Sequence, residues 1–354
     1  MATHITVAKF GGTSIEDSDA FKRVAQIIKA KQAQPLVVVV SAMSRVTDAL
    51  IASFRGAATH GPDESLAQLE QHFARHLRVG ELLSLKRRVR LKKLIESTRI
   101  ELRELLRRAA DSHGSDLRLY DAIISHGERL AANLLTLVLE EHGLPAEYVD
   151  ARRCVITNDK HGNAEPLLDE VRQRAPAELL LLVNTGRIPV LGGFIGATRE
   201  GVTTTLGRGS SDYSATLIGA ALHARAIEIW TDVDGIQTAD PRLVKTTRTV
   251  PHVSYAEAAQ LAKLGARVMH PKMIEPVIAQ RIPIRILNSH APDQPGTLIS
   301  DESSQSNGVK AIAHKIAGES AIVGCIGHGL RINFRVETNS VDAVVKQLHA
   351  AIFE

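Results

Sequence analysis

The chain has 354 residues, 44% of them hydrophobic and 23% charged, a balance ordinary for a globular protein of about two domains. Its net charge of +4 is unevenly placed: residues 75–108 carry 12 Lys or Arg against 4 Glu, a surplus of 12 − 4 = +8 that leaves the remainder at 4 − 8 = −4. That surplus lies on an amphipathic helical pattern without aromatic interleaving, which argues against nucleic acid as a partner, and no apolar run reaches the roughly 20 residues a membrane helix needs.

In chain order, the stretch THITVAKF predicts a strand, and a Gly-Gly turn leads from it into a helix over 18–32. PLVVVVSAM has the unbroken β-branched run of a buried parallel strand. A mostly helical region spans 47–141, interrupted by turn signals at 111–115 and by SHGERL at 125–130. Further strands are expected at AEYVDAR, LLLLVN, IPVLGGFIGAT, AIEIWTDV and IPIRILN, with helices at 165–174, 212–224 and 255–263 between them. This alternation predicts an α/β fold with a mainly parallel central sheet, whose ligands collect at the carboxyl ends of the strands. The N-terminus lacks a signal-peptide pattern, and Cys154 and Cys325 fit buried free thiols, so a cytoplasmic enzyme is expected.

Four clusters carry chemistry. In KFGGTS, Lys9 ends a strand, and Gly11 and Gly12 let backbone N–H groups approach an anion, a combination suited to a transferring phosphoryl group. In TTTLGRGSSDYSATLIGAAL, a small-residue loop runs into a helix start at Ser211 and Asp212, with Arg208 held between two glycines as a fork for a carboxylate. In IEIWTDVDGIQTADPR, a strand ends in Thr231 and Asp232, and Arg242 follows the Asp-Gly turn. In SHGERL, Glu128 stands near a helix start, where it either complements the dipole or meets an ammonium group.

KFGGTS, VVSAMSRVTD, SHGERL, TTTLGRGSSDYSA, IWTDVDGIQTADPR, YAEAAQLAKLGARVMHP and PGTLIS occur in the order seen in aspartate kinases, and over residues 4–300 the chain closely resembles that family within the amino acid kinase superfamily. The resemblance implies a three-layer amino acid kinase-like sandwich over 1–300, an α+β ACT-like portion over 301–354, and transfer of the ATP γ-phosphoryl group to the side chain of L-aspartate. It implies Lys9, Gly11, Gly12 and Asp212 as catalytic residues, and Ser41, Thr47, Glu128, Arg208 and Ser211 around the acceptor. It implies Thr231, Asp232, Gln237, Arg242 and Arg267 on the nucleotide side, with Mg²⁺ carried on the phosphates. Relatives commonly place tyrosine where this chain has Gln237 and lysine where it has Arg267. The same resemblance implies a homo-oligomer formed through the C-terminal region and an amino-acid effector. A kinase for glutamate or acetylglutamate, a non-catalytic subunit, and the kinase portion of a bifunctional polypeptide are the alternatives.

Residues 308–354 are too few for a pair of βαββαβ ACT modules. GVKAIAHK, AIVGCIG and RINFRVE predict strands and SVDAVVKQLHAAIF a helix. Because a crossover between parallel strands needs a dozen or more residues, the spacing predicts missing chain near Lys315–Ile316 or Leu330–Ile332.

Overall fold

Strand β1 (Thr6–Phe10) is buried at every position and has a parallel neighbour on each side, as an apolar run with no polar alternation requires. The computed structural model describes residues 4–265, 271–301 and 308–354, in two units, Met1–Thr231 and Asp232–Glu354.

In the first unit, Asp17 caps helix α1 (Ser18–Ala30) by accepting from the Ala20 N–H at 2.9 Å, and strand β2 (Leu36–Val40) follows. The helical region resolves into α2 (Val46–His60), α3 (Pro62–Ala67), α4 (Glu70–Val79), α5 (Leu85–Asp111), α6 (Leu117–Ile124) and α7 (His126–Glu141). Then come β3 (Ala146–Tyr148), α8 (Leu168–Asn184), β4 (Ile188–Gly192), β5 (Ile195–Ala197), β6 (Thr203–Thr205), α9 (Ser211–Ala221) and β7 (Ala226–Thr231). The order β3–β4–β2–β1–β7 is parallel throughout. Helices α8 and α9 pack on each other and on β2, and α1 and α7 pack on each other, giving the helix–sheet–helix layers expected from sequence.

Two local readings differ. The expected strand LLLLVN is the last turn and a half of α8, which starts at Leu168 and runs beyond the expected helix. Leu179 and Val183 are buried one helical turn apart while Leu181 is 71% exposed, so a leucine run reads as strand only when its burial stripe is unknown. IPVLGGFIGAT forms two strands, β4 in the main sheet and β5 in a hairpin with β6.

The second unit contains β8 (His252–Ser254), α10 (Tyr255–Lys263), α11 (Glu275–Ile278), β9 (Ile284–Asn288) and β10 (Thr297–Ser300). Ser254 and Glu257 close a capping box on α10. Strand β10 is parallel to β8 and antiparallel to β9. A meander of β11 (Val309–Ala317), β12 (Ser320–Gly327) and β13 (Leu330–Glu337) is antiparallel throughout, and α12 (Val341–Phe353) packs Val341 and Val345 on Ile312, Val323 and Cys325.

The expectation of missing chain is overturned here. Lys315 and Ile316 lie inside β11, paired with Ile322 and Ala321, and residues 330–332 open β13 in register with 327–325. Antiparallel hairpins reverse through Gly318 and Gly329, at φ 64° and 63°, and need no crossover. From Val309 to Phe353 the chain forms three antiparallel strands and one helix.

Candidate active site

The parallel sheet of the first unit brings its strand ends to one edge, and the ladder continues a residue past each strand. The Ser41 N–H donates to the Phe10 carbonyl at 3.1 Å, the Gly193 N–H to Val40 at 2.8 Å, and the Gly11 N–H to Trp230 at 2.9 Å. The Gly11 amide is thus committed to the sheet, and the Gly12 N–H is the one of the pair with no protein acceptor among the described residues. A Cβ on Gly12 would stand 2.8 Å from the Ala42 carbonyl oxygen, so glycine is what lets these loops close on each other.

Lys9 projects from β1 to form an ion pair with Asp212, Nζ to Oδ1 2.6 Å, with the side chains only 10% and 13% exposed. Asp212 lies in the first turn of α9, beside the positive end of the helix dipole. Upstream, Gly207 and Gly209 take φ of 90° and 77°, which turns the chain around Arg208, and the Ser210 hydroxyl donates to the Gly207 carbonyl at 2.6 Å. The Arg208 guanidinium pairs with Asp48 at the start of α2. Only an acid in the first turn of a helix marks Asp48 in the sequence, too common a signal to single it out.

Gly12, Ser41, Thr47, Glu128, Arg208 and Ser211 line one cavity of about 240 Å³, so all five expected acceptor residues share it. Glu128, in the first turn of α7, is 4% exposed, and its Oε2 has no hydrogen-bond partner. Burial pushes its carboxyl up to about 8; the Ala42 and Glu128 backbone N–H groups and the Lys9 charge act in the opposite direction. Arg45 and Phe194, also on the cavity wall, are left-handed at φ 68° and 67°, the strained backbone that concentrates at functional sites.

Of the residues expected to serve the nucleotide, Thr231 ends β7 and Asp232 begins the second unit, exposed. Gln237 and Arg242 line a mostly apolar cavity of about 310 Å³ together with Ile236, Leu261, Ile312 and His314. Gln237 Nε2 donates to the Thr249 hydroxyl at 3.0 Å, and Arg242 Nε to Asp240 Oδ1 at 2.9 Å. Arg267 lies outside the described residues. Among the described residues no three His, Cys, Asp or Glu side chains converge on a metal position, and no helix is long and apolar enough to cross a membrane.

This parallel α/β architecture, with a cation and a helix N-terminus at its strand ends, accords with the match of residues 4–288 to the amino acid kinase family, to which the chain belongs. Lysine-sensitive aspartokinase 3 of Escherichia coli (strain K12) is 36% identical over 311 residues, covering 88% of this chain and 67% of its own length. Aspartokinase 2, chloroplastic, of Arabidopsis thaliana is 35% identical over 311 residues, 86% of this chain and 56% of its own. Within the family the chain stands with the aspartokinases, and it spans about two thirds or less of the curated relatives it matches. The crystal structure of E. coli aspartokinase III in complex with aspartate and ADP (R-state) superposes with a TM-score of 0.90 at 26% identity, over 99% of this chain and 100% of that one. The same enzyme in complex with lysine and aspartate (T-state) gives 0.85 at 26% identity and the same coverage.

Proposed function

We propose that the chain transfers the γ-phosphoryl group of ATP to the side-chain carboxylate of L-aspartate, giving 4-phospho-L-aspartate and ADP. The observation that carries the reading is one cavity holding both a carboxyl, Glu128, and a guanidinium, Arg208, beside the Lys9–Asp212 pair. A carboxylate acceptor is already ionised at neutral pH and needs no general base, so charge neutralisation and alignment are what the protein supplies.

In this reading Arg208 exchanges Asp48 for the α-carboxylate of aspartate, and Glu128 takes the α-ammonium. Ser41, Thr47 and Ser211 supply hydroxyls around the acceptor. The acceptor oxygen attacks the γ-phosphorus, the bond to the β–γ bridging oxygen breaks, and ADP leaves. Asp212 holds the Lys9 ammonium at the strand end, where it and the Gly12 N–H meet the charge on the transferring group. Thr231, Asp232, Gln237, Arg242 and Arg267 serve the nucleotide. Mg²⁺ rides on the ATP phosphates and enters with that substrate.

The proposal assigns 1–300 to catalysis and 301–354 to regulation. It includes a homo-oligomer built through the C-terminal sheet, whose edge strand β13 leaves Ile332 and Phe334 exposed, and an amino-acid effector acting there. The Ile312 N–H donates to the Thr238 carbonyl at 2.8 Å, which supports a link between that sheet and the nucleotide loop. A cytoplasmic location accords with two buried, unpaired thiols.

Acyl phosphate captured as hydroxamate, with aspartate compared against glutamate and acetylglutamate, tests the reading. Product with aspartate is expected; product only with another acceptor overturns the substrate, and none with any acceptor overturns the activity.

A further inference from the structure

We propose that Arg75, on α4 and outside the cavity, is a positioning residue that clamps together the two loops forming the acceptor side of the site; this rests on the phosphoryl-transfer reading above. Its Nη1 donates to the Ser44 carbonyl at 2.8 Å and its Nη2 to the Glu16 carbonyl at 2.9 Å. Glu16 closes the turn that follows Gly11 and Gly12, and Ser44 lies between Ser41 and the left-handed Arg45. One planar fork therefore spans the β1–α1 and β2–α2 loops, which are also joined by a bond from the Ser44 N–H to the Gly12 carbonyl at 3.2 Å.

The clamp reaches the chemistry through backbone. Ala42, two residues before Ser44, gives its N–H to Glu128, and Gly12 carries the free amide that faces the transferring group in the proposed reaction. A shift of the 41–45 loop moves Ser41, Thr47 and the Ala42 donor together. Helix α4 is a firm base for the fork, with Phe73, His76 and Val79 buried, and His72 Nδ1 is 3.5 Å from Nη1. Arg75 has no carboxylate partner among the described residues; its half-buried charge is met by the two carbonyl oxygens and the His72 ring nitrogen.

The test compares wild type, Arg75→Ala and Arg75→Lys in the hydroxamate assay, with thermal unfolding of each. In Arg75→Ala, kcat/KM for aspartate falls about 100-fold, the scale of a small misplacement of reacting groups, while the KM for ATP moves less than about threefold. Lysine reaches one carbonyl at a time, so Arg75→Lys retains the fold and loses about tenfold. Added guanidinium ion restores turnover to Arg75→Ala and not to Arg75→Lys, whose side chain fills the space. The inference is overturned if Arg75→Ala lowers the unfolding temperature but leaves the kinetic constants of the folded protein unchanged, or if both KM values rise equally. Should Arg75→Ala not fold, unchanged kinetics in Arg75→Lys overturn it. Wild type is measured first, so a chain that makes no aspartyl phosphate brings down the reaction itself, and the inference with it, rather than the clamp alone.

Discussion

Replacing Glu128 by glutamine changes one oxygen for an NH₂ at nearly constant volume, and it isolates the charge of the most perturbed carboxyl in the site. Burial holds this group up to about 8 against an ordinary 4.5. Below pH 4.5 the native and unfolded chains both carry the proton. Between 4.5 and 8 the native state keeps a proton that the unfolded state has lost, so unfolding free energy falls as pH rises, by about 1.4 kcal/mol per unit. The full cost, roughly 5 kcal/mol, is reached above pH 8. Glutamine cannot ionise, so Glu128→Gln is expected to match wild type near pH 5 and to exceed it by several kcal/mol at pH 8.5 in urea unfolding. Activity runs the other way. At pH 7 only about one Glu128 in ten is ionised in the ligand-free site, and an incoming ammonium group needs the ionised form. Wild-type kcat/KM for aspartate should therefore rise about tenfold per pH unit from 6 towards 8 and then level. In Glu128→Gln it should be flat and lower by about two orders of magnitude, the scale of a lost charge-assisted contact. A wild-type profile that is flat from pH 6 to 9, or a glutamine variant with an unchanged aspartate KM, would refute the reasoning.

Lys9→Ala should lower kcat by at least about 1,000-fold, and it should also destabilise the fold by a few kcal/mol, because Asp212 is left as an unpaired, mostly buried charge. Lys9→Ala/Asp212→Asn should regain that stability in thermal unfolding without regaining turnover; recovery of turnover would remove Lys9 from the reaction. Arg208→Lys keeps the charge but loses the fork, so aspartate KM should rise about tenfold or more while ATP KM holds. Asp48→Asn releases the same guanidinium from its internal partner, and aspartate KM should fall; a rise would show that Asp48 itself contacts the acceptor.

Much of the site was legible because its signals are local. Lys9 followed by Gly11 and Gly12, Arg208 between two glycines, and Ser211–Asp212 at a helix start are each readable from turn and cap chemistry within a few residues. The buried strands β1 and β2 were legible from unbroken apolar runs, and from them the α/β class. Tertiary structure alone decided what meets what. Arg208 and Asp48 are 160 residues apart, and Arg75 reaches carbonyls 31 and 59 residues away; no periodicity encodes such pairs. The C-terminal strands were seen but their connection was misjudged, since a strand's sequence does not state whether its neighbour runs parallel, with a long crossover, or antiparallel, with a two-residue turn. Glu128 shows the division most clearly. Its sequence position marks an acid near a helix start, an exposed and ordinary place for one. It becomes a proton-holding group only because the main sheet brings Gly192 against its Cβ and the Ala42 loop over its carboxyl, excluding the water that would keep it charged.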